Sequence, residues 1–210
     1  MEERERSENV VWEREAVDRT RRYELLGHRG ATVWFTGLPG SGKSTVAGLL
    51  TSRLVEAGVP AYRLDGDNLR HGLNGDLGFS ESDRAENVRR AAEVARLMAD
   101  AGIVAVVSLV SPYRDARARA RELHDCDGLP FVEVWVSTPV EECMRRDPKG
   151  LYARAQAGEV KHMTGIDQPY EAPEAPEVEL TMDTSAEDGV DRVLSVLAEH
   201  GVVPGVPRSA

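Results

Sequence analysis

Apolar residues fall along the chain in two alternating patterns. Short β-branched and aromatic runs are separated by longer stretches with apolar residues at helical spacing. "TVWFTG" (32–37) predicts a strand, and "STVAGLLTSRLVEAG" (44–58) predicts a helix that stops at Gly58. "AYRLD" (61–65) predicts a second strand, residues 82–101 a long amphipathic helix, and "IVAVVSLV" (103–110) a buried central strand. A helix after Pro112, the strand "FVEVWVS" (131–137), short helices over 140–158, a late strand "EVELTM" (177–182) and a final helix over 186–200 complete the order. Strands that alternate with helices imply an α/β fold, with a mostly parallel, twisted sheet covered by helices on both faces. The Pro-rich "QPYEAPEAPEV" (168–178) reads as a loop wrapped on the domain, since only one strand and one helix follow it. Residues 1–8 and 204–210 are expected to be frayed tails around a single domain spanning 9–203.

Composition narrows the partners. The chain has 210 residues, enough for one domain with a full core, and its net charge of −10 argues against a broad nucleic-acid or anionic-lipid surface. Cys126 and Cys143 form no C-x-x-C pair, which suggests neither a disulfide scaffold nor a zinc site. The charged start "MEERERSENV" lacks the apolar run of a signal peptide, and no stretch approaches ~20 apolar residues, so a soluble, cytoplasmic protein is expected. Of the 26 basic residues only Lys43, Lys149 and Lys161 are lysines, a bias with two readings: codon usage alone, or retention of lysine where a compact ammonium has its own use.

The candidate chemistry begins at "GLPGSGKST": Gly37, Leu38, Pro39, Gly40, Ser41, Gly42, Lys43, Ser44 and Thr45. The spacing G-x-x-x-x-G-K-S between a strand and a helix is that of a phosphate-cradling loop. Its backbone N–H groups face the phosphates, the lysine reaches the β- and γ-phosphates, and the Ser44 hydroxyl is a ligand for Mg²⁺. No N-K-x-D follows, and the strand 103–110 runs into Ser111 and Pro112 with no acidic residue, which disfavours a GTPase switch or a mechanical ATPase. A small-molecule kinase remains, and such an enzyme needs an acidic group near the γ-phosphate, cations around the transferring group and a lid. "LDGDNLR" places Asp65 at the end of the second strand, suited to metal-bound water or the acceptor hydroxyl. Asp67 has two readings, direct chemistry or, with Asn68, a cap for the next short helix. Arg70, Arg84 and Asn87 add polar groups suited to an anionic acceptor, with 84 and 87 expected on a helix face opposite Val88, Ala91 and Ala95.

Taken together, "GLPGSGKST", "LDGDNLRHGLNGDLGFSESDRAENVRR", "SLVSPYR", "DPKGLYARAQAGEVK" and "TGIDQPYEAPE" resemble the adenylylsulfate kinase (APS kinase) family, from about Asn9 to Val203. The resemblance implies a P-loop kinase fold with a lid, and transfer of the ATP γ-phosphoryl group to the 3'-hydroxyl of adenylyl sulfate with Mg²⁺. The products would be 3'-phosphoadenylyl sulfate (PAPS) and ADP. It further implies that Arg70, Arg84 and Asn87 hold the phosphosulfate and ribose, and that Phe79 faces the acceptor adenine. Asp67, Val110, Ser111, Lys149, Leu151, Lys161 and Met163 would complete the acceptor side, and Arg146 would join the ATP site. Ser111 corresponds to a serine that can carry a phosphoryl group in bacterial members, and "KGLYARAQAGEVK" corresponds to the lid. A homodimer is expected, with adenylyl sulfate arriving by diffusion or from a separate ATP sulfurylase. Two positions depart from the family pattern: Pro39 stands where serine is usual, and Met163 where an aromatic is expected. These keep open a sister kinase acting on another small-molecule hydroxyl. A non-catalytic nucleotide-binding module would have lost Asp65, Lys149 and Lys161, all of which are present.

Overall fold

A computed structural model describes Glu13 and residues 16–203; the expected tails, 1–8 and 204–210, lie outside the described residues. The chain enters through α1 (Arg19–Leu26), a helix the hydrophobic pattern does not mark because none of its residues is buried. Its ends are conventional, with the Asp18 carboxylate capping the N–H of Arg21 and Gly27 closing it in the left-handed region. Then follow β1 (Ala31–Thr36), α2 (Lys43–Glu56), β2 (Ala61–Asp65), α3 (Gly66–Leu69), α4 (Glu81–Asp100), β3 (Val104–Ser108) and α5 (Arg114–Asp125). The order ends with β4 (Phe131–Val136), α6 (Val140–Arg146), α7 (Leu151–Gln156), β5 (Val178–Leu180) and α8 (Ala186–Glu199). Among the described residues no helix is long and apolar enough to cross a membrane, and Cys126 and Cys143 are both free.

All strand pairings are parallel, in the order β2-β3-β1-β4-β5. The two-residue period of a strand then explains the continuous apolar runs, because each face has its own core. Ala31, Val33 and Phe35 of β1 and Val104 and Val106 of β3 face α2 and α8, meeting Leu50, Leu54, Val193 and Leu197. Trp34, Ala105 and Val107 face the other way, onto the Ala91, Ala92 and Ala95 stripe of α4 and Ala120 of α5. The small residues let α4 lie close to the sheet, and the Trp34 ring stacks 5.8 Å from Phe131.

Two local expectations are corrected. The third strand ends at Ser108, two residues before the apolar run does; Leu109 to Ser111 turn away, and Ser111 takes φ 38°, a left-handed value rare for a residue with a Cβ. Asn87 is buried beside Val88 and in line with Ala91, not on a face opposed to them, because 84, 87 and 91 differ by three and four residues and fall on one helical stripe.

The strained turn at Ser111 is held by Arg117 of α5, which is 3% exposed. Its guanidinium donates to Glu133 Oε1 of β4 at 2.8 Å, to the Ser111 carbonyl at 2.6 Å and to the Glu171 carbonyl at 2.6 Å. Removing the counter-charge leaves a buried cation uncompensated, so Glu133→Gln is expected to cost about 3 kcal/mol. At this chain length that is a fall of roughly 6 to 12 °C in the thermal midpoint. Scanning calorimetry of the variant checks this; a midpoint within about 1 °C of the parent contradicts it.

Candidate active site

A cavity of about 600 Å³ opens at the carboxyl ends of β1, β2 and β3, where open parallel sheets collect ligands. Its floor is the loop between β1 and α2. Gly37 at its start leaves no room for a side chain, since a Cβ there would lie 2.6 Å from the Val136 carbonyl. Gly42 at its end has φ 109° as the N-cap of α2, a conformation suited to glycine, and it releases the first amides of that helix toward the cavity. The Lys43 ammonium arches back over the loop, donating to the carbonyls of Gly37 at 2.9 Å and Leu38 at 2.8 Å. Burial pushes its pKa down to about 8, against a smaller opposing pull from Cys143 and Asp65.

Beside Lys43, the Asp65 carboxylate sits at the end of β2 and is 9% exposed. It accepts from Ser44 Oγ at 3.0 Å, Ser108 Oγ at 2.9 Å and the Asp67 N–H at 3.1 Å. Burial alone would raise this carboxyl, but the hydrogen bonds from Ser108, Ser44 and the Asp67 amide outweigh it, and the group lies below its ordinary value. Sheet register brings these partners together, because Asp65 pairs with Ser108 and Ser108 with Phe35. Asp65, and not Asp67, caps the short helix α3. Asp67 instead lines the cavity and forms an ion pair with Lys149, which reaches over from the segment between α6 and α7.

The far wall is built on Phe79. Its ring is half exposed, with the Arg70 guanidinium 4.2 Å and the Arg84 guanidinium 5.5 Å from its centroid. Arg84 also donates to the Phe79 carbonyl at 3.2 Å and to the His162 carbonyl at 2.6 Å, tying α4 to the far end of the expected lid. That lid, the segment from Lys149 to Lys161 with α7 within it, roofs the cavity through Lys149, Leu151, Tyr152, Val160 and Lys161. Beneath it Tyr152, Cys143 and Met163 form a small core to which Leu38 of the phosphate loop is added.

Of the residues expected from sequence, the cavity is lined by Pro39, Gly40, Gly42, Lys43, Ser44, Thr45, Asp65, Asp67, Phe79, Arg84, Val110, Arg146, Lys149, Leu151, Lys161 and Met163. Gly37, Leu38 and Ser41 belong to the same loop but stand behind its surface. Arg70 supports Phe79 from outside, donating to the carbonyls of Leu77 and Gly78 at 2.9 Å each. Asn87 is buried and accepts from Asn74 Nδ2 at 3.0 Å. Ser111 is 3% exposed and its hydroxyl accepts from Trp34 Nε1 at 3.1 Å, which turns it toward the sheet. Sequence reasoning missed Ser108 and Tyr152. The first is visible only once the register of β2 and β3 is known; the second had a signal in the apolar spacing Leu151, Tyr152, Ala155 inside the lid.

The depressed Lys43 makes a pH prediction with a definite sign. Only the ammonium attracts phosphate, so ATP affinity should weaken as pH rises through about 8, approaching tenfold per unit once the amine is neutral. Without nucleotide the sign is opposite: between about 8 and 10.5 the unfolded lysine holds a proton that the folded one has released, so stability from this group rises with pH. Calorimetric ATP titrations from pH 7 upward test this, and an affinity unchanged across the range contradicts it.

Comparison with known proteins agrees with this geometry. The family model described as "Adenylylsulphate kinase" matches residues 29–181. The adenylyl-sulfate kinase of Clostridium acetobutylicum is 49% identical over 199 residues, covering 94% of this chain and 98% of that protein. The bifunctional enzyme NodQ of Rhizobium sp. (strain N33) is 55% identical over 203 residues, 96% of this chain but only 31% of that longer protein. Among solved structures, the Mycobacterium tuberculosis APS kinase in complex with AMPPNP and APS superposes with a TM-score of 0.79 at 55% identity. That match covers 81% of this chain and 99% of the other. A phosphate loop, a carboxylate at the end of β2 and an arginine-flanked aromatic under one lid thus occur in a chain that belongs to the adenylylsulfate kinase family.

Proposed function

We propose that this chain transfers the γ-phosphoryl group of ATP to the 3'-hydroxyl of adenylyl sulfate, releasing PAPS and ADP. The observation that carries the reading is the continuity of one cavity from the phosphate loop at Lys43 to the wall at Phe79 and Arg84. The M. tuberculosis relative solved with AMPPNP and APS supports the same pair of ligands.

In this reading the loop amides and Lys43 bind the ATP phosphates, and Phe79 offers a ring face to the acceptor's adenine. Arg84, with Arg70 behind the ring, meets the anionic phosphosulfate. The Ser44 hydroxyl and the Asp65 carboxylate, 3.0 Å apart, are hard oxygen donors of the kind magnesium takes alongside nucleotide phosphates. When bound, the ion would neutralise charge on the β- and γ-phosphoryl oxygens. Because its pKa is depressed, Asp65 is a weak proton acceptor. It suits holding charge and metal-bound water, which leaves the acceptor hydroxyl to Asp67. The lid excludes water from the transfer. The hidden Ser111 hydroxyl accepts a hydrogen bond from Trp34 Nε1, and direct transfer needs no phosphoserine. A separate ATP sulfurylase would supply the acceptor, and assembly as a homodimer in the cytoplasm accompanies this reading.

Incubation with ATP and adenylyl sulfate, followed by chromatography of PAPS, tests the function; no PAPS, with turnover of another hydroxyl acceptor, favours the sister-kinase reading. Asp65→Asn is expected to fold normally and lose about 10²- to 10³-fold in kcat, the scale of removing one preorganised electrostatic group. Near-parental turnover would remove Asp65 from the mechanism. Ser111→Ala should keep kcat within about tenfold of the parent, the cost of a neutral hydrogen bond. A collapse to the level of Lys43→Ala with ATP binding intact would restore the covalent route.

A further inference from the structure

The carbonyls of the phosphate loop are mostly held, and one of the holds comes from the lid. The Gly37 and Leu38 carbonyls accept from Lys43 Nζ, and the Ser41 carbonyl accepts from Thr138 Oγ1 at 2.9 Å. The Gly42 carbonyl accepts from the Thr45 and Val46 amides at the start of α2. The Pro39 carbonyl accepts from the Tyr152 hydroxyl at 3.0 Å, and Tyr152 belongs to α7 in the lid. This phenol is 2% exposed, wedged with Cys143 and Met163. Its backbone is fixed separately, since the Asp147 carboxylate accepts from the Tyr152 and Ala153 amides at 3.1 Å and 3.0 Å.

A trans peptide is planar, so its C=O and the following N–H point in opposite directions. Holding the Pro39 carbonyl on Tyr152 therefore also fixes the direction of the Gly40 N–H, at the wall of the cavity that Gly40 lines. Proline adds to the rigidity, because its ring fixes φ and leaves the Pro39–Gly40 peptide to turn only by a concerted rotation about the Pro39 Cα–C and Gly40 N–Cα bonds. That rotation is what the phenol blocks.

The geometry points to Tyr152 as a positioning residue for nucleotide: through the Pro39 carbonyl, the lid orients a phosphate-binding amide of the loop. The inference rests on the reading of the loop as an ATP site and not on the identity of the acceptor. It makes the lid part of the nucleotide site as well as its roof, so that displacing α7 loosens the grip on ATP. Burial pushes the Tyr152 phenol upward, which keeps it a donor at any working pH.

Tyr152→Phe removes the hydroxyl and keeps the ring, so the packing with Cys143 and Met163 survives. Binding of ATP without acceptor, binding of adenylyl sulfate without ATP, and the thermal midpoint are measured on parent and variant. The expected result is an ATP affinity about fivefold weaker, the size of one neutral hydrogen bond. Adenylyl sulfate affinity should stay unchanged, and the midpoint should fall by no more than the roughly 2 to 4 °C that one buried hydrogen bond is worth at this chain length. An unchanged ATP affinity overturns the inference. So does a parallel loss for both ligands, which is what general loosening of the lid would produce. Should the parent form no PAPS from ATP and adenylyl sulfate, the proposed function fails, and the ATP and midpoint comparison still decides the role of Tyr152.

Discussion

The carboxyl end of this sheet is braced by one buried guanidinium. Arg117 is nearly inaccessible, yet each of its three guanidinium nitrogens donates to an oxygen, in Glu133 of β4 and in the carbonyls of Ser111 and Glu171. A buried cation is tolerated only when satisfied this completely. Its face lies 5.8 Å from the Tyr170 ring, whose hydroxyl is 3.0 Å from Thr36 Oγ1, and Thr36 also donates to the Val110 carbonyl. Since Gly37 follows Thr36 directly, the same brace fixes the origin of the phosphate loop and the backbone at Val110 that lines the cavity. The left-handed φ at Ser111 costs on the order of 1 kcal/mol or more, and it persists because Arg117 and Trp34 hold that residue by carbonyl and side chain.

On this frame, two charges are prepared in opposite ways. Lys43 is buried among carbonyl oxygens and has a lowered pKa, so its positive charge is under-compensated until phosphate oxygens arrive. Asp65 is buried among donors that exceed its desolvation cost, so its negative charge is secured beforehand. One group is left wanting an anion and the other is fixed as an anion, and preorganisation of that kind lowers a phosphoryl-transfer barrier without movement during the step.

The sequence was most legible where local chemistry and global fold coincide. Strand runs with apolar residues on both faces declared a parallel sheet, and the glycine pattern declared the phosphate loop. "LDGD" put Asp65 where the sheet ends, and the Asp65 side chain then took the cap that Asp67 had seemed to offer. What stayed hidden depends on contacts distant in sequence. Ser108 reaches Asp65 only through register across 43 residues, and Tyr152 reaches Pro39 across 113. Helix α1 was overlooked because it buries no side chain of its own. It is held instead by ion pairs of Arg19 and Arg22 with Asp100 and by the Tyr23 hydroxyl on the Ala99 carbonyl, none of which leaves an amphipathic stripe. The run 103–110 overshot β3 because hydrophobicity reports burial, and Leu109 is buried without being in the strand.

Met163 shows how a departure from the family pattern changes meaning once it is placed. Read along the sequence, it is an aromatic stacking partner lost from the acceptor site. In the structure its side chain is 5% exposed, packed with Cys143 and Tyr152 while still lining the cavity, and its amide and carbonyl close a turn with Asp167 and Gln168. An unbranched thioether fits an irregular gap of this kind with little strain. Phe79, half exposed and with the Arg70 and Arg84 guanidiniums 4.2 Å and 5.5 Å from its ring centroid, is then the more accessible aromatic on the cavity wall. The methionine serves first to seat the lid, and because the same small core contains Tyr152 and Leu38, the fit of the lid at Met163 is felt at the phosphate loop.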